Sequence, residues 1–445
     1  MRKSFKIITL GCKVNQYESA YLEEALIREG YVRVGADEKA DMAVINTCIV
    51  TQRAAYQSRQ AVRKAIRENP SGEIAAIGCY AQVFPEELQE IDGLTLAVGN
   101  TLKGRLPRLL KERFDPKEVS CRREDFPTRM PFESQPIRSF SDRTRAFLKI
   151  QDGCRSFCSY CIVPYARGPL RSLDPNGVLS MLRALSKEGY REVVLTGIHL
   201  GHYGVDLTPK AHLKGLLRDI GAAHLSLRIR ISSLYPDEID TELIDLVSEE
   251  TWLCPHFHIS LQSGDDGILR AMNRKYVGGD FTRTMAYLHR KLPQAAVGVD
   301  IIAGFPGETD GAFQNTFRLI EELPVSYLHV FPFSPRKGTP AAGFPDQIDF
   351  RVAKERAQAL RKLGQKKKED FYRSCLGETY PVLTEGWASE EKKLVRGWSD
   401  NYLPVVFYAE EPSKNELLSV KAEKLEGRNV RGRVRVAVGT EAQRK

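Results

Sequence analysis

The stretch Gln151-Asp152-Gly153-Cys154-Arg155-Ser156-Phe157-Cys158-Ser159-Tyr160-Cys161-Ile162-Val163-Pro164 places three cysteines within eight residues, spaced C-x3-C-x2-C. A short apolar run at 146–150 precedes them, so they are expected on a loop after a strand. Three thiolates on one loop can wrap one [4Fe-4S] cube. Three ligands leave the fourth iron open, as catalytic metal sites require, whereas structural sites close theirs. A zinc site would need a fourth ligand at finger-like spacing, and His199 and His202 come only much later in the chain. The open iron can chelate the amino and carboxylate groups of S-adenosylmethionine. Electron transfer to the sulfonium would then cleave its bond to C5′ and release a carbon radical.

Beyond the triplet, strand candidates recur at 192–196, 227–231, 256–261, 296–302 and 327–331, with helix-like spacing between them. With 146–150 they make six βα-type units, which predicts a full or partial TIM-like barrel over 143–370. Upstream, apolar runs at 6–10, 42–46 and 74–77 alternate with helical patterns such as 18–29 and 53–68, predicting a parallel α/β domain over 1–118. Pro116, Pro127, Pro131 and Pro136 among charged residues break the pattern over 115–142 and mark 119–142 as a linker, with Cys121 in it as an incidental thiol. The last part, 371–439, changes to five short strand candidates (379–383, 394–397, 403–408, 417–425 and 429–438), which suggests a small β-barrel. The fold class is thus α/β, with a small β-barrel at the end.

Each early strand candidate ends in a cysteine: Cys12, Cys48 and Cys79. No short motif joins them, but strands of one parallel sheet share a carboxyl edge where ligands bind. A buried single cysteine is common; three at strand ends can supply a second three-thiolate cluster with an open iron. Cys254 and Cys375 have no assigned role.

Nine cysteines in 445 residues are too few for a disulfide scaffold. No apolar run approaches the roughly 18 residues needed to span a bilayer, so no membrane association is expected. The segment before Cys12 faintly resembles a lipoprotein export signal, but it is short and interrupted by Lys6, so a first strand and a cytoplasmic protein are expected. The net charge of +9 is unevenly placed. Residues 351–373 carry nine Lys/Arg against three acidic groups, a surplus of six that suits either a solvated helix face or a polyanion. Arg361, Lys362, Lys366 and Lys367 lie there. Arg431, Arg433 and Arg435 alternate near the chain's end, placing them on one strand face, though 371–445 holds 13 basic and 11 acidic side chains. These seven residues are the candidate RNA contacts.

The triplet resembles the radical S-adenosylmethionine signature, and the segments after it are similar to the methylthiotransferase family. They are Thr196-Gly197-Ile198-His199-Leu200-Gly201, Ser232-Ser233-Leu234-Tyr235-Pro236, His258-Ile259-Ser260-Leu261-Gln262-Ser263-Gly264 and Asp300-Ile301-Ile302-Ala303-Gly304-Phe305-Pro306-Gly307-Glu308-Thr309. The resemblance implies that Tyr160 lies against the adenine of the cofactor and that these segments contact it. Physically, Gly197 permits close backbone approach. Ser260 and Gln262 can share the polar face of a strand. Asp300 or Glu308 can accept from ribose hydroxyls, and Arg230 can meet the methionyl carboxylate.

The same resemblance implies an N-terminal domain whose Cys12, Cys48 and Cys79 carry an auxiliary cluster that holds or delivers sulfur. That makes two [4Fe-4S] clusters beside S-adenosylmethionine. It also implies a terminal barrel similar to the TRAM domain, a flavodoxin- or ferredoxin-type electron donor and a sulfur donor. Thr9-Leu10-Gly11-Cys12-Lys13-Val14-Asn15-Gln16-Tyr17-Glu18-Ser19 and Asn46-Thr47-Cys48-Ile49-Val50-Thr51 resemble the branch acting on N6-threonylcarbamoyladenosine in the tRNA anticodon stem-loop. Pro169-Leu170 stands where many relatives are more basic. Alternatives are methylthiolation of a ribosomal-protein aspartate or of isopentenyladenosine in tRNA, a single-cluster radical enzyme, and an RNA-binding iron-sulfur protein without turnover.

Overall fold

A computed structural model describes residues 2–112, 119–140, 143–411 and 414–435. Its first part is a six-stranded sheet in which every pairing is parallel. In spatial order the strands are Val32–Arg33, Ser4–Thr9, Met42–Thr47, Glu73–Gly78, Leu96–Val98 and Ser120–Arg122. Met42–Thr47 is buried along its whole length, as an inner strand covered by helices on both faces must be. The last strand, Ser120–Arg122, lies in the stretch read as linker and pairs Cys121 with Ala97. Its Ser-Cys-Arg sequence has no apolar pattern, so only pairing reveals it.

The centre is a parallel half-barrel of six strands. Ala146–Lys149, Glu192–Thr196 and Arg228–Ile231 form one sheet; His256–Gln262, Ala296–Ala303 and Tyr327–Pro332 form the other. Parallel bridges at Ile229–Leu253 and Leu234–Ile259 join them. One large apolar core fills the barrel and its helices, and Tyr17 from the first domain's helix Lys13–Arg28 belongs to it. The Tyr17 hydroxyl also donates to the Gln135 carbonyl at 2.5 Å, so that helix packs on the barrel.

The helix Phe350–Ser374 packs against the last two barrel strands and leads into a closed five-stranded β-barrel. The barrel's final strand is Asn429–Val434, so the candidate run to 438 extends past the described residues. No helix of the described residues is long and apolar enough to cross a membrane.

Candidate active site

Cys12, Cys48 and Cys79 follow the strands Ser4–Thr9, Met42–Thr47 and Glu73–Gly78, three neighbours in the sheet, so all three lie at one carboxyl edge. Cys12 caps the start of helix Lys13–Arg28 without donating a cap bond, and Cys79 opens the short helix Cys79–Val83. Gly11 has φ +89°, and a Cβ there would lie 2.8 Å from Cys48 Sγ. Only glycine lets the Cys12 loop approach Cys48 this closely. Asn15, one turn after Cys12, donates to the carbonyls of Leu10 (2.7 Å) and Thr47 (3.0 Å), clamping the first two loops together. Burial pushes the Cys48 thiol up to about 12, and the neighbouring Cys79 and Cys12 add to the rise. All three are free thiols. A buried thiol such as Cys48, reluctant to ionise alone, fits a cationic metal cluster, which deprotonates its thiol ligands outright.

The second trio stands on the loop after strand Ala146–Lys149. Gly153 has φ +73°, and any Cβ would collide with the Pro169 carbonyl, while Cys154 N–H donates to Gly168 O at 3.1 Å. Asn273 holds the loop from the other side through the carbonyls of Ser156 and Phe157, each at 3.1 Å. Burial pushes Cys161 up to about 12, with Cys158 and Cys154 adding to it. Cys154 goes the other way. Burial opposes its ionisation, but His199, whose Nδ1 lies 3.7 Å from Sγ, holds the thiol below its ordinary value. His199 is itself raised to about 9 against burial, by Cys154 and by Glu238 at 2.5 Å.

The two trios meet across the short helix Val163–Arg167, which begins two residues after Cys161. Asn100 Nδ2 donates to the Ala166 carbonyl at 2.7 Å and lies 3.4 Å from Cys79 Sγ. One asparagine thus grips the segment leading from the second trio and touches Cys79 of the first.

Of the residues expected at the cofactor, Tyr160 is half-buried and accepts from Arg274 Nη2 at 2.6 Å. Gln262 ends its strand with a left-handed φ of +75°, at a register shift that turns the chain at the barrel mouth. Ser260 donates to Asp300 at 3.3 Å, and Asp300 also accepts from His258 at 2.7 Å, with His329 at 3.6 Å. Gly197 makes room for Gln151, whose Oε1 would lie 2.9 Å from a Cβ there and accepts the His199 N–H.

Two of the expected cofactor residues have protein partners. Arg230 is 1 % exposed and donates to Glu192 and to the carbonyls of Asp400 and Ser399, so it joins the half-barrel to the terminal barrel instead of meeting the cofactor carboxylate. Glu308 is 1 % exposed, and its Oε2 accepts from both Gly304 N–H and Arg356, which ties the carboxylate to the turn and to the helix Phe350–Ser374. In both, a strand-end charge found a partner from a distant element that no local pattern announces.

Arg274, which sequence reading missed, lies beside the triplet. It is 8 % exposed, lies 4.0 Å over the Tyr235 ring and beside Tyr160 and Tyr276, and its Nε and Nη1 have no partner among the described residues. The bracketing cluster loop could have flagged it only through the fold. Lys13, one residue after Cys12, is half-buried. Burial, then Arg230 and Arg145, push its ammonium down to about 8, against the pull of Asp300. It has no hydrogen-bond or ion-pair partner among the described residues.

The candidate RNA contacts divide. Lys362 and Lys366 are exposed on the helix Phe350–Ser374, and Arg361, also exposed, donates to the Val330 carbonyl at 2.9 Å. Lys367 instead donates to the carbonyls of Glu321 and Leu323 at the end of helix Asp310–Glu322, a capping role. Arg431 and Arg433 share the last strand, Arg435 follows it, and Arg433 pairs with Glu423 at 3.0 Å. Cys254 and Cys375 are buried, and Cys121 is half-buried in the sixth strand.

Two family patterns match the chain: one described as an uncharacterized protein family, UPF0004, over residues 4–99, and the Radical SAM superfamily over 148–320. The second carries an iron-sulfur cluster and S-adenosylmethionine chemistry with it. Among solved structures, the radical S-adenosylmethionine methyltransferase TsrM from Kitasatospora setae shares the fold, with a TM-score of 0.56, 16% identity and 77% of each chain covered. The chain is 38% identical to a threonylcarbamoyladenosine tRNA methylthiotransferase MtaB of Bacillus subtilis, over 93% of this chain and 92% of that one. The Aquifex aeolicus protein of the same name is 37% identical over 89% and 95%. A tRNA-2-methylthio-N(6)-dimethylallyladenosine synthase of Pelotomaculum thermopropionicum is 32% identical over 91% and 92%. Identity of this order along nearly the full length of both partners fixes the lineage: the chain belongs to the radical S-adenosylmethionine methylthiotransferase family.

Proposed function

We propose that this enzyme converts N6-threonylcarbamoyladenosine next to the tRNA anticodon into its 2-methylthio derivative, using two [4Fe-4S] clusters. The observation that carries the reading is the convergence of the two cysteine trios on Val163–Arg167, which supports a radical-generating centre beside a sulfur-bearing one. When bound, the cluster at Cys154, Cys158 and Cys161 supplies the electron that cleaves S-adenosylmethionine, and the one at Cys12, Cys48 and Cys79 supplies the sulfur position.

The chain's own groups do the rest. Arg274, with two unpaired buried nitrogens, receives the cofactor carboxylate and keeps Tyr160 in place for the adenine. Gln262, Ser260 and Asp300 present polar groups at the same strand ends. Lys13, an unpartnered cation one residue after Cys12, receives the carboxylate of the threonylcarbamoyl group. A dimethylallyl group offers no such anion, so Lys13 favours the threonylcarbamoyl reading over the isopentenyl one. Lys362, Lys366 and the face of Arg431 and Arg435 bind phosphates of the anticodon stem-loop, with the last barrel in a TRAM-like role. A loop base leaves its stack more cheaply than a paired one. A flavodoxin- or ferredoxin-type protein supplies electrons.

The test is anaerobic turnover of reconstituted enzyme with a low-potential reductant, S-adenosylmethionine and two tRNAs, one bearing threonylcarbamoyladenosine and one isopentenyladenosine. Methylthio product on the first alone supports the reading. Product on the second alone, or none with 5′-deoxyadenosine absent, overturns it.

A further inference from the structure

Six charged side chains are buried together between the first domain and the half-barrel: Glu18, Lys103, Lys149, Asp152, Arg167 and Arg171, each 5 % exposed or less. Glu18 receives Lys103 (2.7 Å), Lys149 (3.0 Å) and Arg167 (2.6 Å), while Asp152 receives Arg171 at 2.9 Å and Lys149 at 3.5 Å. Four cations therefore share two carboxylates, a surplus of two positive charges. Glu133, at the rim of the same cavity, is exposed and does not offset it. A buried surplus of this kind is strongly unfavourable unless another anion stands close by.

The position of Arg167 shows where that anion belongs. Its Nη2 donates to Asn15 Oδ1, and Asn15 is the residue that clamps the Cys12 and Cys48 loops. The preceding residue's carbonyl is held by Asn100, whose amide lies against Cys79. The guanidinium is thus tied to the brackets of all three cysteines, yet its Nε has no partner.

We infer that Arg167 is the counter-cation of the cluster at Cys12, Cys48 and Cys79, raising that cluster's reduction potential and its affinity for an anionic sulfur ligand. The inference rests on the second-cluster reading above. Formal charges agree with it. A two-plus [4Fe-4S] core with three thiolates carries one negative charge, and a hydrosulfide or thiolate on its open iron brings the total to two, matching the buried surplus. Arg167 is a positioning residue: it acts through the cluster and touches neither substrate nor S-adenosylmethionine.

The experiment uses the full-length Cys154→Ala/Cys158→Ala/Cys161→Ala protein, in which only the Cys12, Cys48 and Cys79 site remains. Reconstitution should load about four irons per chain, and an iron-free protein would overturn both the second cluster and this inference. On that background, Arg167→Gln should shift the cluster's midpoint potential to more negative values in a spectroscopic redox titration. It should also weaken binding of methanethiol, followed through the cluster's EPR signal, by about tenfold or more. Arg167→Lys should restore most of both. Lys103→Gln reduces the surplus without touching the guanidinium and should shift the potential the same way by less, which covers the case of Arg167→Gln failing to fold. A loaded cluster whose potential and methanethiol affinity are unchanged in the folded variants would overturn the role of Arg167 alone.

Discussion

Arg230 Nε donates to Glu192 at 2.9 Å in a fully buried ion pair that docks the terminal barrel onto the half-barrel. The same guanidinium reaches the carbonyls of Asp400 (2.7 Å) and Ser399 (3.1 Å) across that junction. Arg230→Ala should therefore destabilise the protein by about 1.5–3 kcal/mol, because it removes one of the two guanidinium groups that donate to the buried Glu192 carboxylate and leaves only Arg228 donating to it. Thermal unfolding measures the loss. The folded variant should bind S-adenosylmethionine like the parent in calorimetry, and a specific loss of cofactor affinity would restore Arg230 to the cofactor site.

The pair also sets an acid limit. Arg230 and Arg228 overcome the effect of burial and hold Glu192 down to about 2, below its ordinary 4.5. The folded state thus binds fewer protons than the unfolded one over this range. The stabilisation is complete above about pH 4.5, amounts to about 3 kcal/mol, and is lost as pH falls from there towards 2. Melting temperatures taken between pH 5 and 3 should fall more steeply for the parent than for Glu192→Gln. Equal slopes would show that Glu192 is not the linked group.

Much of this architecture could be read along the chain. The six strands of the half-barrel follow apolar runs, as parallel strands covered by helices need them, and the five of the last barrel follow short alternating runs set off by turns. Cys154, Cys158 and Cys161 were legible because their ligand spacing is local. Cys12, Cys48 and Cys79 were legible only through topology, as three strand ends on one sheet edge. Charged residues were read worst. Arg230, Glu308 and Lys367 found partners at Glu192, Arg356 and the Leu323 carbonyl, each far away in sequence. Arg274 and Arg167 matter for the converse reason, since what marks them is buried nitrogen left without a partner. No sequence pattern encodes that.

In the proposed reading Arg274 receives the cofactor carboxylate through its two buried, unpartnered nitrogens beside the triplet. Losing one charge-assisted hydrogen bond costs about 1.5–3 kcal/mol. Arg274→Gln should then weaken S-adenosylmethionine binding by roughly ten- to a hundredfold while leaving the iron content intact. Calorimetry and iron analysis separate the two, and loss of iron with unchanged affinity would assign Arg274 to the cluster loop instead.

Lys13 provides the corresponding handle on the substrate. Lys13→Gln should lower kcat/KM for tRNA carrying threonylcarbamoyladenosine by about tenfold or more, an energy of at least 1.4 kcal/mol. Uncoupled release of 5′-deoxyadenosine in the absence of tRNA should not change. A parallel fall in both would place Lys13 in cluster assembly.

The central claim is that one chain holds both the radical centre and the sulfur centre for a tRNA methylthio group. Nucleoside mass spectrometry of tRNA tests it most directly, in a strain lacking the gene and complemented with either the parent or Cys48→Ala. The account predicts 2-methylthio-N6-threonylcarbamoyladenosine with the parent alone, and unmodified N6-threonylcarbamoyladenosine with Cys48→Ala. A methylthio content that is unchanged by the deletion, or restored by Cys48→Ala, would contradict it.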